Sequence, residues 1–328
     1  MEHGMRREGT PWRGVGAVFL KELSDHLTGA RMFVLEWLVV LTAVASVFVS
    51  IQQIKDATAE DPFLFLRLFT QAGEQVPLSF TTLLSFLVPL VAIGLGFDLV
   101  NSEHSRRTLS RILSQPIYRD ALLFGKFLAA LTAIAISLLA LWLLLIGLGL
   151  FTLGLPPSGE EIARALVMLV VTIFYAGVWL ALAMLLSTVF RSPATAALVA
   201  LGLWLFLTVL WPIFSPWLAD IFGSRDITSA EDLLGVLSVR QGFARVSPSS
   251  LFSEIVSVVL DPSVRSTQQR TLATMGLALI ERGAIPGAPL PFLQSVLLVW
   301  GQIVGLIAAT ILLFVAGYVV FQRQEVRA

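Results

Sequence analysis

Side chains able to do chemistry are sparse in this chain. Histidine occurs at 3, 26 and 104 only and cysteine not at all, and no histidine pair is spaced to hold a metal from one helix. Gly94-Leu95-Gly96-Phe97-Asp98 sets glycine near aspartate at the end of an apolar run, the arrangement used in intramembrane aspartyl proteolysis. One residue too many separates the two, and no other apolar run supplies the second carboxylate that this reaction needs. Asp98 therefore reads as a charge at a helix end. Gly125-Lys126 lacks the earlier glycine of a phosphate loop and is followed by Phe127, so this chain is not expected to hydrolyse nucleotide by itself. Two polar residues stand inside apolar runs: Glu36, near the inner end of the first, where Arg31 is expected either to pair with it or to snorkel, and Gln302.

The apolar runs carry the stronger signal. Segment 32–51 contains one ionisable residue, and 77–97, 127–155, 165–190, 194–217 and 291–321 contain none. About 20 helical residues cross a hydrocarbon core of roughly 30 Å, and a helix satisfies its own backbone there. The 328 residues are 56% hydrophobic and 13% charged, where a soluble domain carries about a quarter charged residues. Lysine plus arginine balance aspartate plus glutamate at 22 each, so no field favours nucleic acid as a partner. Residues 1–7 do not open a cleavable signal, and the first span is read as retained. If the termini are cytoplasmic, the inner segments hold 13 basic residues against 3 in the short outer loops, namely Lys55, Arg67 and Arg164. The expected fold is an all-α polytopic membrane protein with six transmembrane helices and both termini cytoplasmic, in the plasma or inner membrane.

Between the spans, residues 15–28 predict an amphipathic interfacial helix, with Val15, Val18, Phe19, Leu23 and Leu27 on one face and Lys21, Glu22, Ser24, Asp25 and Thr28 elsewhere. Asp61-Pro62 opens a short apolar helix in the first outer loop. Segment 101–126 predicts a basic helical elbow with Leu109, Ile112 and Leu113 on one side, ended by Gln115-Pro116 and restarted at Asp120. Apolar residues on such an elbow need a cover, which suggests a docking surface. Trp211-Pro212 and Ser215-Pro216-Trp217 are expected to kink or end the fifth span. Residues 218–290 then predict a small helical outer cap, with helices opening at Ser229, near 250–260 and near 266–281. Gly301, Gly305 and Ala309 form a small-residue stripe on the sixth span, for packing within the bundle or against a second copy. The resulting division is 1–31 cytoplasmic N-terminus, 32–217 spans one to five with the elbow at 101–120, 218–290 cap, 291–322 span six and 323–328 tail.

Layout and motifs together resemble the ABC type-2 exporter permeases, the membrane subunits of transporters whose ATPase is a separate polypeptide. Lys21-Glu22-Leu23 with Asp25 is similar to the start of that family's interfacial helix. Glu103, Arg106, Arg107-Thr108-Leu109, Leu113, Pro116, Arg119 and Gly125-Lys126 follow its pattern into the third span, with Arg107 where glycine is common. The nearest resemblance is to the branch containing the permease of nitrous oxide reductase maturation, although the segment 218–290 is larger than in that permease and its substrate is not carried over. The resemblance implies a separate ATPase subunit carrying ATP and magnesium, no cofactor on this chain, and a second permease subunit, identical or related. It also implies that Glu103, Arg106, Arg107, Thr108, Leu109, Ile112, Leu113, Pro116 and Arg119 couple to the ATPase, braced by the interfacial helix. An extracytoplasmic partner for the cap is a further expectation. An ATP-independent carrier, an intramembrane enzyme and a membrane scaffold or assembly factor are the alternatives.

Overall fold

The computed structural model describes residues 14–54, 63–70, 79–102, 119–154, 156–222, 230–264, 266–267 and 289–323, which form helices and turns with no strand among them. Helix α1 (Val15–Leu27) meets α2 (Ala30–Ile54) at a bend of 59°. Gly29 sits in that bend, where an added Cβ would stand 2.9 Å from the Asp25 carbonyl. Then follow α3 (Leu64–Thr70), α4 (Phe80–Gly96), α5 (Arg119–Leu153) and α6 (Gly159–Val189). Helix α7 (Pro193–Leu205) passes through a π turn at Phe206–Leu210 into α8 (Trp211–Phe222). The chain closes with α9 (Ala230–Ala244), α10 (Pro248–Leu260), α11 (Phe292–Leu298) and α12 (Trp300–Arg323).

Four helical runs are long and apolar enough to cross a membrane: Asp120–Leu153, Gly159–Val189, Pro193–Phe222 and Trp300–Arg323. The bent pairs α1–α2 and α9–α10 pass the same test together, which brings the count to as many as six. Helix α4, at 17 residues, is about 25 Å long, shorter than a hydrocarbon core.

Helix α6 is the central post, buried along most of its length between α4, α5 and α12. With lipid as apolar as leucine, close packing and polar contacts hold such a bundle, not the hydrophobic effect. Helix α12 comes close to α6 at two glycines. A Cβ on Gly317 would lie 3.4 Å from the Leu185 Cα, and one on Gly177 would lie 3.3 Å from the Thr310 side chain. Of the expected small-residue stripe, Gly305 faces Leu251 of α10, so this part of it packs inside the bundle.

Two prolines are answered by side chains from other helices. Pro89 lies inside α4 and has no N–H for the carbonyl of Ser85, four residues back. The Tyr175 hydroxyl of α6 donates to that carbonyl at 2.8 Å. In the fifth run, the Trp211 N–H bonds the Phe206 carbonyl and Pro212 has no N–H to give. The Leu207 carbonyl accepts from Ser247 Oγ at 2.7 Å instead. The helix was expected to kink or stop at these prolines; the π turn lets it continue to Phe222.

Ser247 belongs to the turn between α9 and α10, which differ in direction by 118°. The Trp211 indole donates to the Phe243 carbonyl at 2.8 Å beside it, and Phe252 of α10 stacks on Tyr175 with centroids 4.5 Å apart. These contacts fall near the middle of the fifth run and of α6. Residues 230–260 of the expected cap segment therefore form a helical hairpin packed against the fifth run, α6 and α12. The third expected cap helix, 266–281, lies almost wholly outside the described residues, and the expected sixth span is interrupted at Val299.

Arg164 fixes the hairpin. Its fully buried guanidinium donates to the Val259 carbonyl at 2.8 Å, the Leu290 carbonyl at 2.6 Å, Ser295 Oγ at 3.1 Å and Glu160 at 2.7 Å. Glu161, one helical turn ahead, closes a capping box with Ser158 and accepts from the Phe65 N–H of α3 at 2.9 Å. Glu254 of α10 is met by Gln302 at 2.9 Å and Arg245 at 3.0 Å.

The Pro89–Tyr175 reading makes a direct prediction. Tyr175→Phe leaves the Ser85 carbonyl unpaired and should lower stability by about 1–3 kcal/mol. In a Pro89→Ala background that carbonyl regains its helical donor, and the same change should cost well under half as much. Equal penalties in both backgrounds, read from unfolding in detergent, would show that the hydroxyl does not serve the proline gap.

Candidate functional site

A buried charged junction lies at the end of the described bundle that carries α1. Helix α1 lies along the start of α5, and the closest approach is at Gly125, where a Cβ would stand 2.9 Å from Val18 Cγ1 and 3.3 Å from the Val15 carbonyl. Glycine is required there by the backbone and branched side chain opposite. Next to it, Lys126 Nζ lies 3.1 Å from Glu22 Oε1, with side-chain exposures of 5% and 11%. Lys21 reaches the same carboxylate at 2.9 Å and Asp25 at 3.2 Å, both from the solvent side.

The face that docks is the expected one widened by Glu22 and His26, with Leu27 left out. Val18 and Glu22 are buried, Val15, Phe19, Leu23 and His26 are half-buried, and Leu27 is exposed. Glu22 was placed on the polar side because a carboxylate ordinarily seeks water. Lys126 reverses that preference by arriving from α5 at the matching height. Likewise, Arg31 does not pair with Glu36. Its guanidinium binds Asp98 at 2.6 Å and sits 5.2 Å over the Phe97 ring, joining α2 to the end of α4.

The same end holds both approaches to the segment 103–118. On the α4 side, the N–H groups of Val100 and Asn101 donate to Ser187 Oγ at 3.1 and 3.2 Å, and the Asn101 amide donates to the Phe97 and Phe190 carbonyls. On the α5 side, Tyr318 donates to Asp120 at 3.1 Å and Gln322 Nε2 donates to the same carboxylate. Of the predicted coupling residues, Glu103, Arg106, Arg107, Thr108, Leu109, Ile112, Leu113 and Pro116 lie outside the described residues, and Arg119 is described only as the first residue of α5. Of the predicted interfacial residues, Glu22 meets Lys126, Lys21 and Asp25 flank it from the solvent side, and Leu23 is half-buried on the same helix. Sequence reasoning treated those two motifs separately, and the matching charges at 22 and 126 were the signal that could have joined them.

Electrostatics make the junction sensitive to acid. Burial opposes the charge on Glu22, but Lys126 and Lys21 outweigh it and hold the carboxyl below its usual range. Burial pushes the His26 imidazole down, Glu22 pulls against it and Lys126 adds to the downward push, and its Nε2 is enclosed without a hydrogen-bond partner among the described residues.

Two predictions follow from this geometry. Lys126→Ala leaves a buried carboxylate short of its main partner and should cost about 3 kcal/mol. The isosteric apolar pair Glu22→Leu with Lys126→Met should recover most of that loss in detergent unfolding. The second concerns pH. Free α1 takes up a proton at His26 that the docked helix refuses, so docking weakens as pH falls through the ordinary histidine range. Glu22 stabilises docking at neutral pH, and that contribution is lost as pH drops through its lowered value. A spin label at Leu20→Cys should therefore grow more mobile from pH 7.5 to 5, and less so in His26→Gln.

Comparison with known proteins agrees with this architecture. The family described as ABC-2 family transporter protein matches residues 16–326. A probable ABC transporter permease protein NosY of Pseudomonas aeruginosa is 33% identical over 141 residues, covering 41% of this chain and 49% of that protein. Its namesake in Stutzerimonas stutzeri is 30% identical over 138 residues, covering 40% and 48%. The chain thus spans about half the length of the curated relatives it matches. With nearly its whole length matched, α1 and α12 included, the chain belongs to the ABC-2 transporter family.

Proposed function

We propose that this chain is the permease subunit of an ATP-driven ABC exporter in the plasma or inner membrane, with six spans and both termini cytoplasmic. A separate ATPase carries ATP and magnesium, and a second permease subunit, identical or related, completes the path between two bundles. The observation that carries this reading is the junction of α1 with α5. Glu22, Val18, Gly125 and Lys126 join the interfacial helix to the third span next to the segment 103–118, while Ser187 and Asp120 tie its two approaches to α6 and α12. A push on that segment would reach α4, α5, α6 and α12 together. Export as the direction rests on the family resemblance.

In this reading Leu109, Ile112 and Leu113 seat in an ATPase groove, with Glu103, Arg106, Arg107, Thr108, Pro116 and Arg119 around them. ATP-driven closure of the ATPases displaces the seat, and the bundle switches access from one side to the other.

The test is gentle purification of the tagged chain from its native membrane. An ATPase should come with it in equal amount, and Leu109→Asp with Leu113→Asp should lower that yield at least about tenfold while leaving insertion intact. Undiminished co-purification with the double variant would refute the seat. Absence of an ATPase beside the unaltered chain would favour an ATP-independent carrier or a scaffold.

A further inference from the structure

We infer that the cleft between α2, α4 and α5 is a binding site for an amphiphilic cation, with its ammonium group on Glu36 and its alkyl tail along the apolar walls. The cleft is an open apolar recess walled by Leu35, Val39 and Val40 of α2 and by Val88 and Val91 of α4. Its floor is formed by Met32, Val88, Ile134, Leu138 and Leu141, each nearly or fully buried, so it is a recess in the packed bundle and not a gap between exposed side chains. It is almost wholly apolar. Glu36 is the one ionisable residue that lines it, and Ser137 the one other polar side chain.

Glu36 makes the cleft more than a place for any acyl chain. It stands roughly 8 Å along α2 from Arg31, at 1.5 Å per residue, inside the apolar run. Arg31 was its obvious neutralising partner, but that guanidinium is committed to Asp98 at 2.6 Å. Among the described residues Glu36 has neither hydrogen bond nor ion pair. The other carboxylates set into the bundle, Glu161 and Glu254, are each met by donors from other elements. An ionisable side chain inside a span is costly unless something answers it, and such residues mark ligand paths. A carboxylate at the rim of an apolar recess selects a ligand with a cationic head and a hydrophobic tail. A neutral or anionic amphiphile of the same length would meet the same walls without that attraction.

The site stands apart from the transport reading, since binding to it requires neither ATPase nor nucleotide. The test uses the full chain in phosphatidylcholine nanodiscs and a dodecylammonium probe bearing a diazirine on its tail. Photolabel should fall on peptides containing Val39, Val40 and Leu138, and unlabelled dodecylammonium should compete while dodecyl maltoside at equal concentration does not. Glu36→Gln should reduce specific labelling at least about tenfold, the loss expected for one desolvated charge contact, and Glu36→Asp should retain most of it. Ser137→Phe, a half-buried position where a larger side chain fills the cleft, should also abolish labelling. Undiminished labelling in Glu36→Gln, or equal labelling by a neutral diazirine alkane, would show that the cleft takes lipid chains without regard to charge and would overturn the proposal. Elution of each variant as the unaltered chain does separates loss of binding from loss of fold.

Discussion

Hydrocarbon offers no hydrogen bonds, so a polar group placed inside this bundle must be answered by another part of the same chain. That constraint explains which elements are joined. Arg164 gathers the end of α10, the start of α11 and the carbonyl of Leu290 around one guanidinium. Tyr175 fills the gap left by Pro89, and Ser247 fills the one left by Pro212. Each bond crosses between elements far apart in sequence, and each would leave a buried group unpaired if the elements parted. The polar contacts are thus the places where the helices cannot slide freely.

At the opposite end the same rule produces a latch. Glu22 is tolerated on the docked face of α1 only because Lys126 meets it, and the two charges can meet only because Gly125 lets the helices approach. A buried pair of this kind adds little net stability over an apolar pair, but it penalises every other register of α1 on α5. Specific alignment is what an interfacial helix needs if it is to pass displacement into a span. The Arg31–Asp98 pair adds a second fixed point on the α2–α4 side of the Gly29 bend.

Much of the architecture was legible in the sequence, because long uncharged runs have few alternatives in water or lipid. The turns at Gly154, Ser158 and Pro193 rest on local chemistry alone: a left-handed glycine, a capping box and a proline at the start of a helix. What could not be read were the long-range answers to local problems. Glu22 looked solvent-facing, Arg164 looked like a loop charge, and Arg31 had a nearer carboxylate in Glu36 than in Asp98. The helices of 230–260 were legible, but not the partners of their polar residues: Gln302 and Arg245 meet Glu254, and Ser247 meets the Leu207 carbonyl. The coupling residues between 103 and 118 rest on motif and resemblance.

The central claim is that α1 and α5 form one rigid unit. Because the chain has no cysteine, spin labels at Leu20→Cys and Ile136→Cys report on it cleanly, both side chains being exposed. Pulsed electron resonance between them at neutral pH should give a single narrow distance distribution that broadens when Lys126 is replaced by alanine. A broad or multiple distribution in the chain with Lys126 intact would mean that α1 is not held to α5, and the account of the junction would fail.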